Sequence, residues 1–357
     1  FPLAPVFAQG PLQQGSETVS KPKKDADDSK PEAKIPSKFD KKNVTPQGAP
    51  VFTANATTVT VDVAVLDNKN HFIPNIPRGN FRVLEDNIPQ QVASYSTGEA
   101  PMTICMVIEF SDRFQQIYGP GWFQTLNTVY GFTQTLKPED YVAVVAYDLK
   151  TEILSDFSTN RQETYDALQR LRVAGFSESS MYDALVETEQ RMQDIEGRKA
   201  ILLVASGIDT MSHLTFDKAR KAIQNAGVPI YAIGLLQTAR EMADAAGAMG
   251  SIQRLDFLQA DNEMGTFAKE TGGMAFFPHF YGELPNIFQA ISQAMRNQYV
   301  LTYTPSNQTR YGKFRKIKVE LVNPETNQPL RVVDQKGKPI KYQIVAKSGY
   351  TAPRPVE

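Results

Sequence analysis

Between residues 101 and 277, uninterrupted apolar strands alternate with amphipathic helical stretches, and this alternation constrains the fold more than any other feature of the 357-residue chain. Residues 102–110, 141–147 (YVAVVAY), 199–205 (KAILLVA) and 228–235 carry no period-2 break. Strands read this way when helices cover both faces of their sheet. Helical periodicity follows over 121–136, 161–172, 180–197, 216–226, 238–248, 258–271 and 284–296. Residues 151–154 fit an edge hairpin beside the second strand, and 273–277 a last short strand after the helix stop Thr271-Gly272-Gly273. A β-α-β alternation of this length predicts an α/β, doubly wound, Rossmann-like sheet.

Three of these strands end in polar residues: Glu109-Phe110-Ser111-Asp112-Arg113, Ser179-Ser180-Met181-Tyr182-Asp183, and Ser206-Gly207-Ile208-Asp209-Thr210. Ligands of open α/β sheets bind in the crevice beyond the carboxyl ends of the strands. Oxygens gathered there make either a hard-cation site or a protein-docking face. A dinucleotide site is argued against by the first loop, Ser111-Asp112-Arg113-Phe114-Gln115, which has no Gly-rich turn to admit a pyrophosphate; Gly119-Pro120-Gly121 comes too late. No GxxxxGK[ST] phosphate loop occurs. A hydrolase is the third alternative, since Ser206 follows a strand and Asp209, Ser212 and His213 lie near it. The nucleophile elbow G-x-S-x-G is missing, however, and a polar solvated loop explains these residues as well. Glu109, Asp112 and Asp183 would have to supply an acid/base pair. Asp183 is expected instead to cap or pair locally on a helix whose polar face also carries Glu187 and Arg191. We therefore expect a non-enzymatic protein.

Composition narrows the partners. A formal net charge of -1 gives no general attraction to nucleic acid or an anionic membrane. Cys105, the single cysteine, sits in an apolar run and reads as a core residue, so no disulfide framework exists. His71, His213 and His279 have no metal-ligand spacing. No run of eighteen apolar residues is present, so no transmembrane span is expected. Residues 1–8 (FPLAPVFA) look like the end of a signal peptide cleaved before Gln9, which implies export to the periplasm or cell envelope.

The flanks read differently from the middle. Residues 9–50 are polar and mixed in charge (KPKKDADDSKPEAKIPSKFDKK), too poor in apolar side chains to order themselves, so residues 1–50 form a flexible tail. Residues 57–66 alternate as a half-buried strand; 81–84 and 91–95 follow, separated by a turn at Glu85-Asp86-Asn87. After Gln298 the strand texture returns at 299–303, 315–321, 329–333 and 340–345. Neither flank can hold a core alone. We expect residues 51–98 and 297–357 to make one β-sandwich, with 99–296 inserted as the α/β domain. Phe276, Phe277, Phe280 and Tyr281 read as core at the last strand's end, or as an exposed docking patch. Residues 237–262, with Met242 and Met249 and with Met264 nearby, are longer than a connection needs: a specificity insertion or a covering helix.

Val83-Leu84-Glu85-Asp86-Asn87, the apolar strand before Ser111, Met181-Tyr182-Asp183-Ala184, the strand end at 205–210, Thr271-Gly272-Gly273 and Lys347-Ser348-Gly349-Tyr350 occur in this order. Together they resemble the von Willebrand factor A-related proteins of acidobacterial type, over roughly residues 55–352. The resemblance implies a von Willebrand A fold serving adhesion or assembly. It also implies a metal-ion-dependent adhesion site of pattern Asp-x-Ser-x-Ser with a Thr and an Asp from later loops. Those positions are Glu109, Ser111, Arg113, Ser179 and Ser206 here, and Ser111 alone is unchanged. Glu109, Ser111 and Ser179 are the possible Mg²⁺ ligands; Arg113 and Ser206 remove the others, so no cofactor is the expectation and Mg²⁺ the alternative. The guanidinium of Arg113, paired with Glu109, Asp112 or Asp209, can stand where a cation would. The expected docking face is Glu109, Ser111, Asp112, Arg113, Ser179, Ser206 and Asp209, contacting a protein partner. The alternative is a structural or accessory subunit of a larger envelope or membrane-associated complex.

Overall fold

The computed structural model describes residues 58–97, 100–112, 121–171, 176–247, 250–333 and 337–354. The tail 1–50, the signal-like stretch within it, Arg113 and Met249 lie outside the described residues. The first flank supplies β1 (Val59–Asp67), β2 (Phe81–Glu85), β3 (Ile88–Gln90) and β4 (Val92–Thr97). The middle runs β5 (Met102–Glu109), α1 (Gly121–Gln134), β6 (Tyr141–Tyr147), β7 (Thr151–Ser158), α2 (Arg161–Gln169), α3 (Met181–Met192), β8 (Arg198–Ala205), α4 (Phe216–Ala226), β9 (Ile230–Gly234), α5 (Gln237–Ala245), α6 (Ser251–Thr271), β10 (Ala275–Phe276) and α7 (Leu284–Arg296). The second flank supplies β11 (Tyr299–Tyr303), β12 (Phe314–Leu321), β13 (Val332–Val333), β14 (Pro339–Ile340), β15 (Tyr342–Ala346) and β16 (Gly349–Thr351).

The middle forms a six-stranded sheet of order β10-β9-β8-β5-β6-β7, parallel except for the edge strand β7. Every residue of β5 is buried, as its unbroken apolar run requires. Trp122, Val129, Phe132, Leu284, Phe288 and Ile291 pack one face of the sheet, from α1 and α7. Met181, Leu185, Ala219, Ile223, Met264 and Phe267 pack the other, from α3, α4 and α6. Cys105 belongs to this second core, where burial pushes its thiol up to about 12, so it is an inert packing group.

Strands of both flanks share two further sheets, β15-β1-β11-β4 and β16-β12-β2-β3, around a core that includes Val61, Val63, Phe81, Val83, Tyr299 and Leu301. In β1, Val59 faces Tyr303 across one edge and Val63 faces Ala346 across the other. The turn between β2 and β3 puts Asp86 and Asn87 at φ 48° and 67°, the left-handed region that Asn and Asp tolerate. Of the expected strand 329–333, Val332 and Val333 form a separate hairpin with β14, and Pro329 makes a lone bridge with Val322.

Several element ends differ from expectation. The helix expected over 180–197 stops at Met192, before Gly197 at φ 89°. The edge hairpin extends to Ser158 because β7 pairs along most of β6, with register shifts. The helix expected from 258 begins at Ser251; Leu255 and Leu258 lie on its exposed side, so its first two turns have no apolar stripe to reveal them. Phe276, Phe277 and Tyr281 pack against the cores, while Phe280 is exposed.

Candidate functional site

The carboxyl ends of β5 and β8 place Glu109 and Ser206 side by side, and loops bring Ser111 and Ser179 to the same point. All four are buried, at 2%, 1%, 3% and 4% exposure for Glu109, Ser111, Ser179 and Ser206. Ser111 Oγ donates to Glu109 Oε1 at 3.0 Å, and the Ser206 N–H donates to Glu109 Oε2 at 2.7 Å. Burial raises the Glu109 carboxyl above its ordinary value, and the hydroxyls and amide around it pull only partly the other way. Ser179 Oγ and Tyr147 Oη are buried in the same nook, and among the described residues neither makes a hydrogen bond of good geometry. The Ser179 hydroxyl lies near enough to Glu109 to help its charged form, but its geometry is not that of a made bond.

Asp209 and Asp183 serve the loops. Asp209 Oδ2 accepts from the Tyr182 N–H at 3.0 Å and Oδ1 from the Ser212 N–H at 3.2 Å, so it caps the first turn of α3 from across the crevice. Asp183 does not cap or pair on its own helix as expected. Its carboxylate accepts from the His213 and Leu214 amides at 2.8 and 3.1 Å and meets His213 Nδ1 at 2.8 Å. Partial burial pushes the Asp183 carboxyl up, but these contacts outweigh it and hold the group below the usual range. Glu187 and Arg191, on the polar face of that helix, pair one turn apart. The loops are latched further: Ser179 O accepts from the Thr210 and Met211 amides, the Asp112 N–H donates to Phe176 O, and the Ser180 N–H donates to Asp148 O. Helix α6 closes the back wall. Tyr182 Oη donates to Glu263 Oε2 at 2.6 Å, and a Cβ on Gly207 (φ 82°) would stand 2.5 Å from Met264 Sδ.

The hydrolase set is not assembled. Ser212 Oγ donates to Asp209, His213 is turned to Asp183 with its side chain 94% exposed, and Ser206 Oγ accepts from the Ile208 N–H at 3.1 Å. The family's metal fits no better. Mg²⁺ needs about six oxygens in near-octahedral array. Among the described residues, Glu109 is the carboxylate at the pattern's own positions, and its two oxygens accept from Ser111 and Ser206, while the Asp209 carboxylate is taken up by the Tyr182 and Ser212 amides. The second carboxylate of the pattern is Ser206, whose amide points a hydrogen at the crevice. Among the described residues no group of three or more His, Cys, Asp or Glu is placed to hold a metal.

Residues not singled out in the sequence surround this nook. Phe176 and Met211 are 42% and 53% exposed on the latched loops, and Lys150 Nζ lies 5.7 Å from the Phe176 ring. Their signal was an apolar side chain in an otherwise small and polar loop (Phe176-Ser177-Glu178-Ser179; Thr210-Met211-Ser212).

The family model for the von Willebrand factor type A domain matches residues 105–297, more than half of the chain. The chain belongs to the von Willebrand factor type A domain family. No curated protein sequence matches it. Among solved structures it is similar to proximal thread matrix protein 1 of the mussel byssus, at 11% identity and TM-score 0.42, covering 56% of this chain and 50% of that one. The chain thus spans about half the length of that protein. A von Willebrand factor type A protein from Catenulispora acidiphila is 11% identical with TM-score 0.43, over 84% of this chain and 76% of that one. The corresponding domain of the type V pili tip protein Mfa5 from Porphyromonas gingivalis is 13% identical with TM-score 0.39, over 56% and 97%.

Proposed function

We propose that this chain is an exported, non-enzymatic protein-interaction module that docks a partner through the strand-end face without a metal ion. The observation that carries this reading is the Glu109 carboxyl, which bridges Ser111 and Ser206 and fills the crevice where an ion would link the loops. Glu109, Ser111, Ser179 and Ser206 are buried, so they act as the scaffold of the face. The contact falls to the exposed rim, Phe176 and Met211, with Asp112 and Asp209 beneath it. Apolar rim groups on loops held by a rigid sheet are suited to hot-spot contacts. The buried, latched state of the nook also favours a second reading, a permanent accessory subunit of an envelope complex whose strand-end face is idle.

Affinity capture from gently solubilised native envelopes, with and without a chelator, tests this. The docking reading predicts a partner retained under chelation and lost with Phe176→Ser plus Met211→Ser. Loss on chelation restores the metal-dependent reading. Retention by the double variant supports the idle face of an accessory subunit.

A further inference from the structure

Where helix α4 meets the sandwich, a cleft of about 630 Å³ is lined by cations from three elements far apart in sequence: Lys221 from α4, Lys316 from β12 and Arg354 from the chain beyond β16. Hydrogen bonds tie its walls together. The Thr351 hydroxyl donates to Asn225 Oδ1 on α4, and the Ser348 N–H and Oγ both donate to Glu270 O near the end of α6, each at 3.0 Å. Lys316 stands opposite Gly349, which has no side chain to cover it. The Arg354 stem lies over Gly312, at φ 66°, where a Cβ would come within 3.0 Å of Arg354 Cγ.

The lining holds four cations and two carboxylates, in a chain whose net charge is -1. Both carboxylates are spoken for. Glu270 accepts from Arg220 on each of its oxygens, from Nε at 2.8 Å and from Nη2, and from Gln224 Nε2 at 2.6 Å. Its hydrogen bonds, joined by the charges of Glu270 and Asp217, hold the Arg220 guanidinium above its ordinary value against partial burial. Among the described residues, Lys221, Lys316 and Arg354 make no ion pair. Three uncompensated cations around one cleft raise the local concentration of anions. A lone carboxylate matches one of them, whereas two phosphates on one carrier match all three. The recess is concave and of small-molecule size, which selects such a carrier over a flat membrane or a nucleic acid.

We propose that this cleft binds a small multivalent oxyanion, of the class and size of a sugar bisphosphate, through Lys221, Lys316 and Arg354. The proposal is independent of the strand-end reading, because the two surfaces share no residue. The full chain is titrated calorimetrically with fructose bisphosphate at about 0.15 M salt, where general surface attraction is screened. The expected result is one saturable event per chain, a raised Tm, and about tenfold weaker binding by Lys316→Gln plus Arg354→Gln. Both side chains are exposed, so this variant should keep the circular dichroism of wild type. Lys218→Gln plus Lys341→Gln removes as many exposed charges outside the cleft and is expected to bind as wild type does. Absence of saturable heat overturns the proposal, as does an equal loss in the two double variants. Equal affinity for inorganic sulfate, which would mean an adventitious ion only, or for unphosphorylated fructose, overturns it as well.

Discussion

Glu85 and Glu109 are carboxylates at the ends of core strands, each 2% exposed, and the protein satisfies them by opposite means. Glu85, in the sandwich, accepts from Arg315 Nη1 at 3.0 Å and from the hydroxyls of Tyr303 and Tyr350 at 2.7 and 2.9 Å. Arg315 is itself 2% exposed, so this is a buried ion pair closed by two phenols. Among the described residues, Glu109 in the α/β sheet has hydroxyls and one amide as its hydrogen-bond partners. A charge pair fixes the joint between β2 and β12, whereas neutral donors close the crevice between β5 and β8. Burial raises the Glu109 carboxyl, and the hydroxyls and the amide around it lower it only in part.

The largest expected effect breaks the charged member. Arg315→Met leaves Glu85 buried without its cation, and urea unfolding should show a loss of about 3–5 kcal/mol. Glu109→Ala should cost less, about 1–3 kcal/mol, by stranding the Ser111 hydroxyl and the Ser206 N–H. Glu109→Gln, which keeps the shape and can still accept from Ser206, should fall within about 1 kcal/mol of wild type. If Glu109→Gln is as damaging as Arg315→Met, the contrast between the two sites is wrong.

Glu189 sharpens the contrast by pH. It is 1% exposed on α3, its Oε2 accepts from the Val228 N–H at 3.2 Å, and its Oε1 has no hydrogen-bond partner. Burial raises its carboxyl well above 4.5. A raised folded value means the folded state holds the proton that the unfolded state releases, so stability is full below about 4.5 and declines as pH rises toward the folded value. Wild type should therefore lose stability relative to Glu189→Gln as pH increases from 4.5 upward, measured by urea unfolding across the range. A parallel pH dependence in both proteins would contradict this placement of Glu189.

The sequence made the sheet legible because β5, β6, β8 and β9 each carry an unbroken apolar run, and the strand-end residues were legible because polarity begins abruptly at Glu109 and Ser206. What joins them was not. The Ser206 N–H reaches Glu109 across 97 residues of chain, and a backbone donor leaves no mark in a sequence. Asp209 read as a contact residue because its role as a cap depends on where the next loop places the Tyr182 amide. Asp183 read as a local helix group for the same reason: its partners His213 and Leu214 lie 30 and 31 residues on. The edge position of β15 follows from sheet order, which periodicity does not specify.

Glu109 is proposed to stand in place of an ion, and calorimetric titration of Mg²⁺ into the full chain tests that most directly, with Glu109→Asp plus Ser206→Asp run beside it. The double variant rebuilds the family's pair of short carboxylates and serves as the comparison. Wild type is predicted to give no saturable heat. Saturable binding of one Mg²⁺ per wild-type chain would contradict the account.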